Sequence, residues 1–387
     1  MQGTTEDRTL NPFPWYRQMR ETDPIHFYPD YRAWQVFRYA DVLRVLSDSA
    51  VFSSNISGGS ERQDPLAASI VTTDPPRHRQ LRNLVTQAFT PRAVAGLADR
   101  ITTIVNDLLD HVVARGQMDI VDDLAYPLPV IVIAELLGIP QEDRPRFKAW
   151  SDAVVGASMG GGGNPQAEMS AYFLQMIEQR RQEARDDLIS ALLNAQIDGV
   201  HLTQRELLGF CVLLLVAGNE TTTNLIGNAV LSLDEHPEVM AELRADPDLI
   251  PAAIEEVLRY RSPVQMMYRR AATDVTLDGR PIRAGQMVMA QIGSANRDAA
   301  QFPDPDRFDI KRTPNRHIAF GHGIHFCIGA PLARRESKIA LTLMLERLPD
   351  LRRVPSIALQ GTGSPIVYGV KHLPVTFGAP SANTVAN

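Results

Sequence analysis

The amino-acid sequence predicts a mainly α-helical protein with minor β-sheet, because its apolar residues follow two different spacings. Helical spacing dominates residues 76–260 and returns at residues 330–348. Shorter segments rich in β-branched and aromatic residues lie at about residues 24–60, 264–310 and 350–377. Neither an internal repeat nor a Ser- or Pro-rich linker divides the 387 residues, so we expect one domain covering residues 1–387.

The β-like segments are short and are marked by turn residues. Residues 24–38 contain the turn formers Pro29 and Asp30, which predict a small hairpin. The dipeptide Asp278-Gly279 predicts a turn in a second β-like region. Further strand patterns occur at residues 275–277, 286–292 and near 366–376.

One helix is marked more clearly than the others. Thr203 and Glu206 form a capping-box pattern, and helical composition continues to Pro237, which corresponds to roughly 45–50 Å. Its middle reads AGNETT, residues 217–222, and places a glycine, a carboxylate and hydroxyl groups in an apolar stretch. Two interpretations stay open: a helix interface where Gly218 permits close approach, or a helix that opens locally and presents a proton-relay pair.

Composition and charge exclude several classes of protein. The chain has 39 Lys+Arg against 45 Asp+Glu, a formal charge of -6, which argues against nucleic-acid binding. The N-terminus lacks the apolar segment of a signal peptide, and the longest uncharged apolar run, residues 207–218, is much shorter than the roughly 20 residues that span a bilayer. We therefore expect a monomeric cytoplasmic protein with no membrane partner.

The two cysteines, Cys211 and Cys327, are too few for a disulfide framework or a four-cysteine metal site. Cys211 lies in the apolar run LGFCVLLL and is interpreted as a small core residue. Cys327 lies in a glycine-rich loop, and Pro331 after it suits the first turn of a helix. A helix N-terminus favours a thiolate over a thiol, so Cys327 is expected to be a metal ligand or a nucleophile.

The chemistry open to Cys327 is narrow. A zinc site would need partner thiolates, and a cysteine protease would need a His and Asn/Asp signature that the sequence does not show. Single-thiolate ligation of haem iron is the functional interpretation that remains, beside a buried structural cysteine in a glycine-rich turn.

Four segments of the sequence together resemble the cytochrome P-450 family, specifically its soluble bacterial members. They are DPPRHRQLR at residues 74–82, AGNET at 217–221, E-x-x-R at 256–259 and FGHGIHFCIG at 320–329. The resemblance covers nearly the whole chain and implies the cytochrome P-450 fold, a triangular helix-rich domain with a long central helix and small β-sheets. In this family Glu256 and Arg259 have a structural role and pair with a downstream arginine, expected here to be Arg307.

The resemblance implies haem b (iron protoporphyrin IX) as the cofactor, with the Cys327 thiolate as its axial ligand, and O2 as cosubstrate. The residues expected to contact the haem are His78, Arg82, Ala217, Gly218, Arg269, Phe320, Gly321, His325, Cys327 and Gly329. The four basic residues in this set would pair the propionates, since buried carboxylates need cations or hydrogen-bond donors. Glu220 and Thr221 would act as the acid and the alcohol that deliver protons to bound oxygen.

The resemblance also implies an external electron donor, a ferredoxin or flavodoxin with its reductase, and NAD(P)H as the source of electrons. Residues 311–338 carry six basic residues against Glu336 alone, a local charge of +5. We interpret this group as a docking surface for an acidic donor. A solvated face without a partner is the alternative.

Family topology places an apolar pocket beside the haem, and an apolar substrate of terpenoid, steroid or fatty-acid type is expected. Its expected lining is Leu66, Ile70, Val71, Leu213, Val216, Ala217, Val264, Gln265, Met266, Met267, Ile366 and Val367. Gln265 could orient one polar group of the substrate, and the two methionines would form an adaptable wall. The glycine run at residues 160–163 is interpreted as a mobile lid loop or as a plain connector.

Three other functions compete with that of a monooxygenase. A peroxygenase that uses H2O2 directly would often replace the Glu220 and Thr221 pair, which is present here. A haem-thiolate sensor or binding protein would usually carry an output domain, and a structural helical protein would leave the Cys327 loop unexplained. Asn219 departs from the family pattern, where His or an aromatic residue is frequent, and is expected to alter hydrogen bonding near the oxygen site.

Overall fold

The computed structural model of the protein describes residues 5–56, 65–88, 91–147, 149–150, 165–197 and 199–378. The chain divides into two compact units. Unit 1 comprises Met1–Ser53, Asp99–Pro127 and Thr221–Asn387, and unit 2 comprises Ser54–Ala98 and Leu128–Glu220. The glycine run at residues 160–163 lies outside the described residues, and the expectation of a single domain stays a prediction.

Helices make up most of the described chain, as the apolar spacing predicted. They are α1 (Thr5–Leu10), α2 (Phe13–Thr22), α3 (Tyr39–Ser47), α4 (Arg77–Ala88), α5 (Pro91–Gly96), α6 (Ala98–Val113), α7 (Pro127–Leu136), α8 (Pro165–Gln182), α9 (Leu188–Asn194), α10 (Gln204–Glu235), α11 (Pro237–Ala245), α12 (Ile250–Tyr260), α13 (Ile292–Ala295) and α14 (Ala330–Arg347). Short 3-10 turns include Pro65–Ala68, Ile70–Thr72 and Gly323–His325.

The strands are short and belong to unit 1. They are β1 (Ile25–Tyr28), β2 (Ala33–Val36), β3 (Phe52–Ser53), β4 (Gln117–Asp119), β5 (Met267–Ala271), β6 (Val275–Leu277), β7 (Arg280–Ile282), β8 (Met287–Ala290), β9 (Arg352–Arg353) and β10 (Pro374–Thr376). The largest sheet has the order β1-β2-β8-β5-β3, in which only β2 and β8 run parallel. One of its faces packs on α3 through the fully buried Val42 and Val45.

The predicted hairpin and the predicted turn at Asp278-Gly279 are both confirmed, and the turn joins a second hairpin. Strands β1 and β2 pair from Ile25 with Val36 to Tyr28 with Ala33. Strands β6 and β7 are joined by Asp278 and Gly279, whose φ angles of 43° and 77° fit the two left-handed positions of a type I′ turn.

Two β segments differ from the prediction. Strand β4 lies inside the region predicted as helical, and it pairs with β10, more than 250 residues away in sequence. The expected strand near residues 366–376 is reduced to β10 and isolated bridges. Strands of only three residues are stabilised by pairing with segments distant in sequence, so the spacing of apolar residues along the chain does not predict them.

Helix α10 confirms the capping-box prediction. The Thr203 amide donates to Glu206 Oε2 at 2.8 Å, and the Glu206 amide donates to Thr203 Oγ1 at 3.2 Å. The helix has 32 residues, about 48 Å, and is unbroken through residues 217–222, so the local opening is absent. Among the described helices, α10 alone is long and apolar enough to cross a membrane, but 61% of its most apolar window is buried inside the fold.

Candidate active site

The loop that carries Cys327 is fixed by glycines and by backbone hydrogen bonds. Gly321 and Gly323 have φ angles of 72° and 69°, a region that side chains other than glycine rarely adopt. A Cβ on Gly323 would also lie 3.1 Å from the backbone of Leu46 at the end of α3. The Cys327 amide donates to Phe320 O at 2.9 Å, which places the sulfur just before the first turn of α14.

The environments of the two cysteines are opposite. Cys211 is fully buried, and burial raises the pKa of its thiol to about 12. Cys327 is only partly buried and precedes a helix N-terminus, where the unpaired N–H groups favour negative charge. The assignment of Cys211 to the core is confirmed, and Cys327 is the cysteine placed for thiolate chemistry.

A cationic network supports the Cys327 loop. Arg334 donates to both oxygens of Glu255, at 2.6 and 2.8 Å, and its guanidinium lies 4.5 Å from the centre of the Phe320 ring. The bond to Glu255 raises the pKa of Arg334, and the Cys327 sulfur adds a smaller contribution. Burial opposes ionisation of Glu255, but the bonds from Arg334 and His317 outweigh it and lower the pKa of Glu255 to about 2.

The loop fits a haem thiolate on the chemistry of its donors. Cys327 is only partly buried, and a Cβ on Gly329 would lie 3.9 Å from its sulfur, so glycine at this position places no side chain in contact with the sulfur. Two cations expected at the propionates also belong to unit 1. Arg269 lies on β5, is 4% exposed and donates to Tyr268 O at 2.8 Å, and His325 ends the 3-10 turn before Cys327.

Unit 2 carries the other two expected propionate contacts. His78 and Arg82 lie four residues apart on α4 and therefore share one helix face. His78 is 2% exposed, and burial together with the nearby Arg82 lowers the pKa of its imidazole, although Asp74 opposes the shift. A neutral imidazole at neutral pH can donate one hydrogen bond to a carboxylate.

The middle of α10 presents one accessible face in an otherwise buried stretch. The residues on it are Leu213, Val216, Ala217, Glu220 and Thr221, of which Ala217 is exposed and the others are partly buried. Their spacing of three and four residues places them in one stripe. Burial raises the pKa of Glu220 above that of a free carboxyl, so the carboxyl is protonated in a larger fraction of the molecules at a given pH.

The packing around Gly218 supports one of the two interpretations of the AGNETT segment, that of a helix interface. A Cβ on Gly218 would approach Ile133 Cδ1 to 2.7 Å, so glycine permits close packing between α10 and α7. The interface interpretation is thus confirmed for Gly218, while Glu220 and Thr221 remain on the accessible stripe. Asn219 is 1% exposed and points away from that stripe.

Some of the expected substrate residues come together within unit 1. Val264 and Val367 form an isolated antiparallel bridge, and the backbone N–H of Gln265 donates to Ile366 O at 2.7 Å. Ile366 is 39% exposed. In unit 2, Leu66, Ile70 and Val71 lie on the 3-10 turns before α4.

The side chains of Gln265 and Met266, both expected in the substrate pocket, are buried and engaged inside unit 1. The Gln265 side chain accepts from Tyr16 Oη at 2.9 Å and donates to Ser262 O at 2.6 Å, so both ends of its amide are used inside the fold. Met266 is buried in a small cluster with Ala33 and Met289. Side chains alternate across strand β5, so Met267 lies on the same face as Arg269 and Ala271.

The partner of the E-x-x-R pair also differs from the prediction. Glu256 and Arg259 are fully buried and make two bonds, of 2.7 and 2.8 Å. Arg307 contributes only its backbone carbonyl, which accepts from Arg259, while its side chain is exposed. The arginine beside Glu256 is Arg312, whose Nε lies 3.4 Å from Glu256 Oε2. The Arg312 guanidinium is held there because it also donates to Pro303 O at 2.6 Å, in the loop that precedes it.

Sequence reasoning missed the groups that complete these networks. Asn315 and the Asp309 amide donate to Glu256, and Glu255 with His317 holds Arg334. The only sequence feature that could have indicated these networks was the adjacent pair Glu255-Glu256, whose two carboxylates contact different partners.

Comparison with known proteins identifies the family. The Cytochrome P450 family profile matches residues 163–349. The putative cytochrome P450 YjiB of Bacillus subtilis is 43% identical over 382 residues, covering 96% of this chain and 95% of that protein. This chain belongs to the cytochrome P450 family. It is therefore a haem-thiolate oxidoreductase that uses O2.

Two further relatives of this cytochrome P450 have named activities or ligands. The cyclomarin C epoxidase CymV of Salinispora arenicola is 43% identical over 376 residues, covering 94% of this chain and 95% of that enzyme. The crystal structure of substrate-free CYP109E1 from Bacillus megaterium matches with a TM-score of 0.91 at 44% identity, covering 95% of this chain and 99% of the other. The same protein was also solved in complex with testosterone, with a TM-score of 0.88, covering 95% of this chain and 100% of the other.

Proposed function

We propose that this cytochrome P450 is a monooxygenase that takes electrons from a separate redox protein and hydroxylates or epoxidises an apolar small molecule. The observation that supports this most is the contrast between the buried Cys211 and the accessible Cys327 at the start of α14. Cys327 would hold the haem iron, and when bound the haem supplies reductive activation of O2. His78, Arg82, Arg269 and His325 would pair its propionates.

Glu220 and Thr221 are proposed as the proton-delivery pair. Both lie on the accessible stripe of α10, next to each other in sequence. Burial raises the pKa of Glu220, which favours its protonated form, and the Thr221 hydroxyl can accept a proton from that carboxyl and donate its own through ordered water. Neither group is fully buried, so exchange of protons with solvent stays possible.

Replacement of Thr221 by alanine tests this role. We expect Thr221→Ala to bind haem and substrate almost as the wild type does, but to divert reducing equivalents to H2O2 because the donor hydroxyl is gone. The measurement is the ratio of product formed to NAD(P)H consumed. Thr221→Ser keeps the hydroxyl and should retain most of the coupling. Equal coupling in wild type and Thr221→Ala would exclude the assignment, and an enzyme driven better by H2O2 than by reduction would favour a peroxygenase.

The substrate class is proposed as apolar, of terpenoid, steroid or fatty-acid type. The accessible stripe of α10 and the bridge of Val264 with Val367 present aliphatic side chains, and the single polar group expected there, Gln265, is occupied by Tyr16 and Ser262. The testosterone complex of CYP109E1 supports a steroid as a first probe. Without Gln265, the proposal no longer includes a polar anchor.

A matched pair of steroids tests the class. We expect testosterone to shift the haem spin state on titration, and testosterone sulfate to bind at least about tenfold more weakly, because burying an unpaired charge is costly. The measurement is the change in the Soret band. Equal or tighter binding of the sulfate would contradict an apolar pocket.

The structure changes the account of the basic segment. Lys311 pairs with Glu242, Arg312 with Glu256, and Arg334 with Glu255. Acids outside the segment thus offset Lys311 and Arg334, whereas the single charge of Glu256 is shared between Arg312 and Arg259. The cations left without an ion pair among the described residues are Arg316, Arg335 and Lys338. Glu336 does not offset them, because burial raises the pKa of its carboxyl to about 8.

We propose that these three residues, the cation group, receive an acidic ferredoxin or flavodoxin, whose electrons come from NAD(P)H through a reductase. Lys338→Ala should slow reduction several-fold at low ionic strength, and the difference from wild type should vanish at high salt. The measurement is the rate of haem reduction by a bacterial ferredoxin. Lys371→Ala removes the same charge from another exposed position and is the control. An equal effect of both variants would argue against the cation group.

We further propose that the protein is monomeric and cytoplasmic. Burial of most of the apolar window of α10 supports a location outside the membrane, since core helices of soluble proteins have that length and hydropathy.

A further inference from the structure

Helix α4 carries its two proposed propionate cations close to its start. His78 is the second residue of the helix, and Arg82 lies one turn further on. The backbone bonds of this first turn are long, with the amides of Arg79 and Gln80 at 3.1 and 3.5 Å from Pro76 O. Helix termini leave backbone groups unpaired and fray easily, so the orientation of His78 depends on support from outside the helix.

Arg77, the first residue of α4, provides such support. Its Nε donates to Glu206 Oε1 at 2.7 Å, and one terminal nitrogen donates to Glu206 Oε2 at 2.5 Å. The other terminal nitrogen donates to Gln80 Oε1 at 2.9 Å. All three nitrogens of the guanidinium are used, and the two-point contact with a carboxylate is the strongest that arginine makes.

Glu206 is itself held in place. It is the acid of the capping box at the start of α10, and its Oε2 also accepts from the amide and the hydroxyl of Thr203, at 2.8 and 2.9 Å. Burial opposes ionisation of Glu206, but the bonds from Arg77 and Thr203 outweigh it and lower the pKa of the carboxyl. The side chains of Arg77 and Glu206 are 31% and 15% exposed, so solvent screens this pair less than a fully exposed one.

The direction of this link determines which motion it opposes. Successive residues of an α-helix are separated by about 100° around its axis, so the Arg77 side chain leaves α4 to one side of the face that His78 and Arg82 share. A contact at the side of a helix resists rotation about the helix axis. Rotation of α4 would move both cations together, because they lie on the same face.

We propose that Arg77 is a positioning residue that fixes the rotation of α4 through Glu206 and so holds His78 and Arg82 toward the haem propionates. Its role rests on the propionate contacts proposed above for these two residues. Arg77 acts through them and not on the haem itself, since its guanidinium is occupied by Glu206 and Gln80.

Transfer of haem from the holoenzyme to excess apomyoglobin, followed in the Soret region, measures how firmly the haem is held. We expect Arg77→Ala to raise the rate of haem release about threefold to tenfold. Glu206→Gln should do the same, because glutamine still serves in a capping box but lacks the charge that binds Arg77. Arg79→Ala removes the same charge from an exposed position on the same helix and should release haem at the wild-type rate.

A background without the two cations separates positioning from general support of the fold. In His78→Ala/Arg82→Ala, haem release should already be faster than in the wild type, and adding Arg77→Ala should change it less than about twofold. If this background retains no haem, Arg82→Ala alone replaces it, and the acceleration should then be smaller than in the wild type. The propionate-bending band of the resonance Raman spectrum reports hydrogen bonds to the propionates, so it should shift in Arg77→Ala and not in Arg79→Ala.

Three results would overturn the role of Arg77 alone. They are wild-type haem release in Arg77→Ala, an equal acceleration by Arg77→Ala with and without the two cations, and an unshifted propionate band in Arg77→Ala. If His78→Ala/Arg82→Ala releases haem like the wild type, the propionate contacts themselves are wrong and the role of Arg77 is excluded with them.

Discussion

Cys327→Ala is expected to abolish the red-shifted Soret band of the reduced, CO-treated protein, together with turnover of any substrate. Cys327 is the accessible cysteine and lies at the N-terminus of α14, where its thiolate is favoured. Alanine cannot donate electron density to iron, so any haem that still binds would have a different proximal ligand. The measurement is the reduced CO difference spectrum of protein reconstituted with haem.

Cys211→Ala is the matched control for this experiment. Cys211 is fully buried in α10, and burial raises the pKa of its thiol to about 12, so it holds its proton at neutral pH. The band should persist in Cys211→Ala, with at most a small loss of stability from the missing sulfur. A thiolate spectrum that survives in Cys327→Ala and disappears in Cys211→Ala would reverse the assignment of the two cysteines.

Glu256→Ala is expected to lower the free energy of unfolding by about 3–5 kcal/mol, since it leaves the charge of Arg259 buried without its counterion. Both side chains are fully buried, and Glu256 also accepts from the Asp309 amide at 2.8 Å and from Asn315 at 3.1 Å. One substitution therefore leaves several donors without an acceptor. The measurement is denaturant unfolding followed by circular dichroism.

Two arginine variants make this prediction specific and remain useful if Glu256→Ala fails to fold. Arg312→Ala should be clearly destabilising, because its guanidinium approaches Glu256 and donates to Pro303 O at 2.6 Å. Arg307→Ala should change stability by less than about 0.5 kcal/mol, because only its backbone carbonyl is used. If Arg307→Ala proves the more destabilising of the two, the pairing given by the structure is wrong.

The features predicted correctly from the sequence are those whose signals lie close together in the chain. The capping box of Thr203 and Glu206, the turn at Asp278-Gly279 and the glycine-rich loop before α14 each depend on residues fewer than ten positions apart. Local geometry fixes such features, because hydrogen-bond reach and allowed backbone angles limit them to a few structures.

The errors concern partners that are distant in sequence. Choosing Arg312 over Arg307 beside Glu256, or directing Gln265 to Tyr16, needs contacts across 56 and 249 positions. The ion pairs that Lys311, Arg312 and Arg334 make with Glu242, Glu256 and Glu255 are of the same kind. A residue count gives the charge of a segment, but the field it presents depends on which counterions fold against it.

For this protein the sequence by itself determined the central helix and the membership of the cytochrome P450 family, and it is the source of the proposal that Cys327 is the haem ligand. Each of these rests on residue types at fixed short spacings, which any fold that accommodates them must respect. The tertiary structure alone decided which cations of the basic segment have no ion pair among the described residues and which expected pocket residues are turned inward. Burial and ion pairing are properties of chain segments brought together by folding, and no local spacing encodes them.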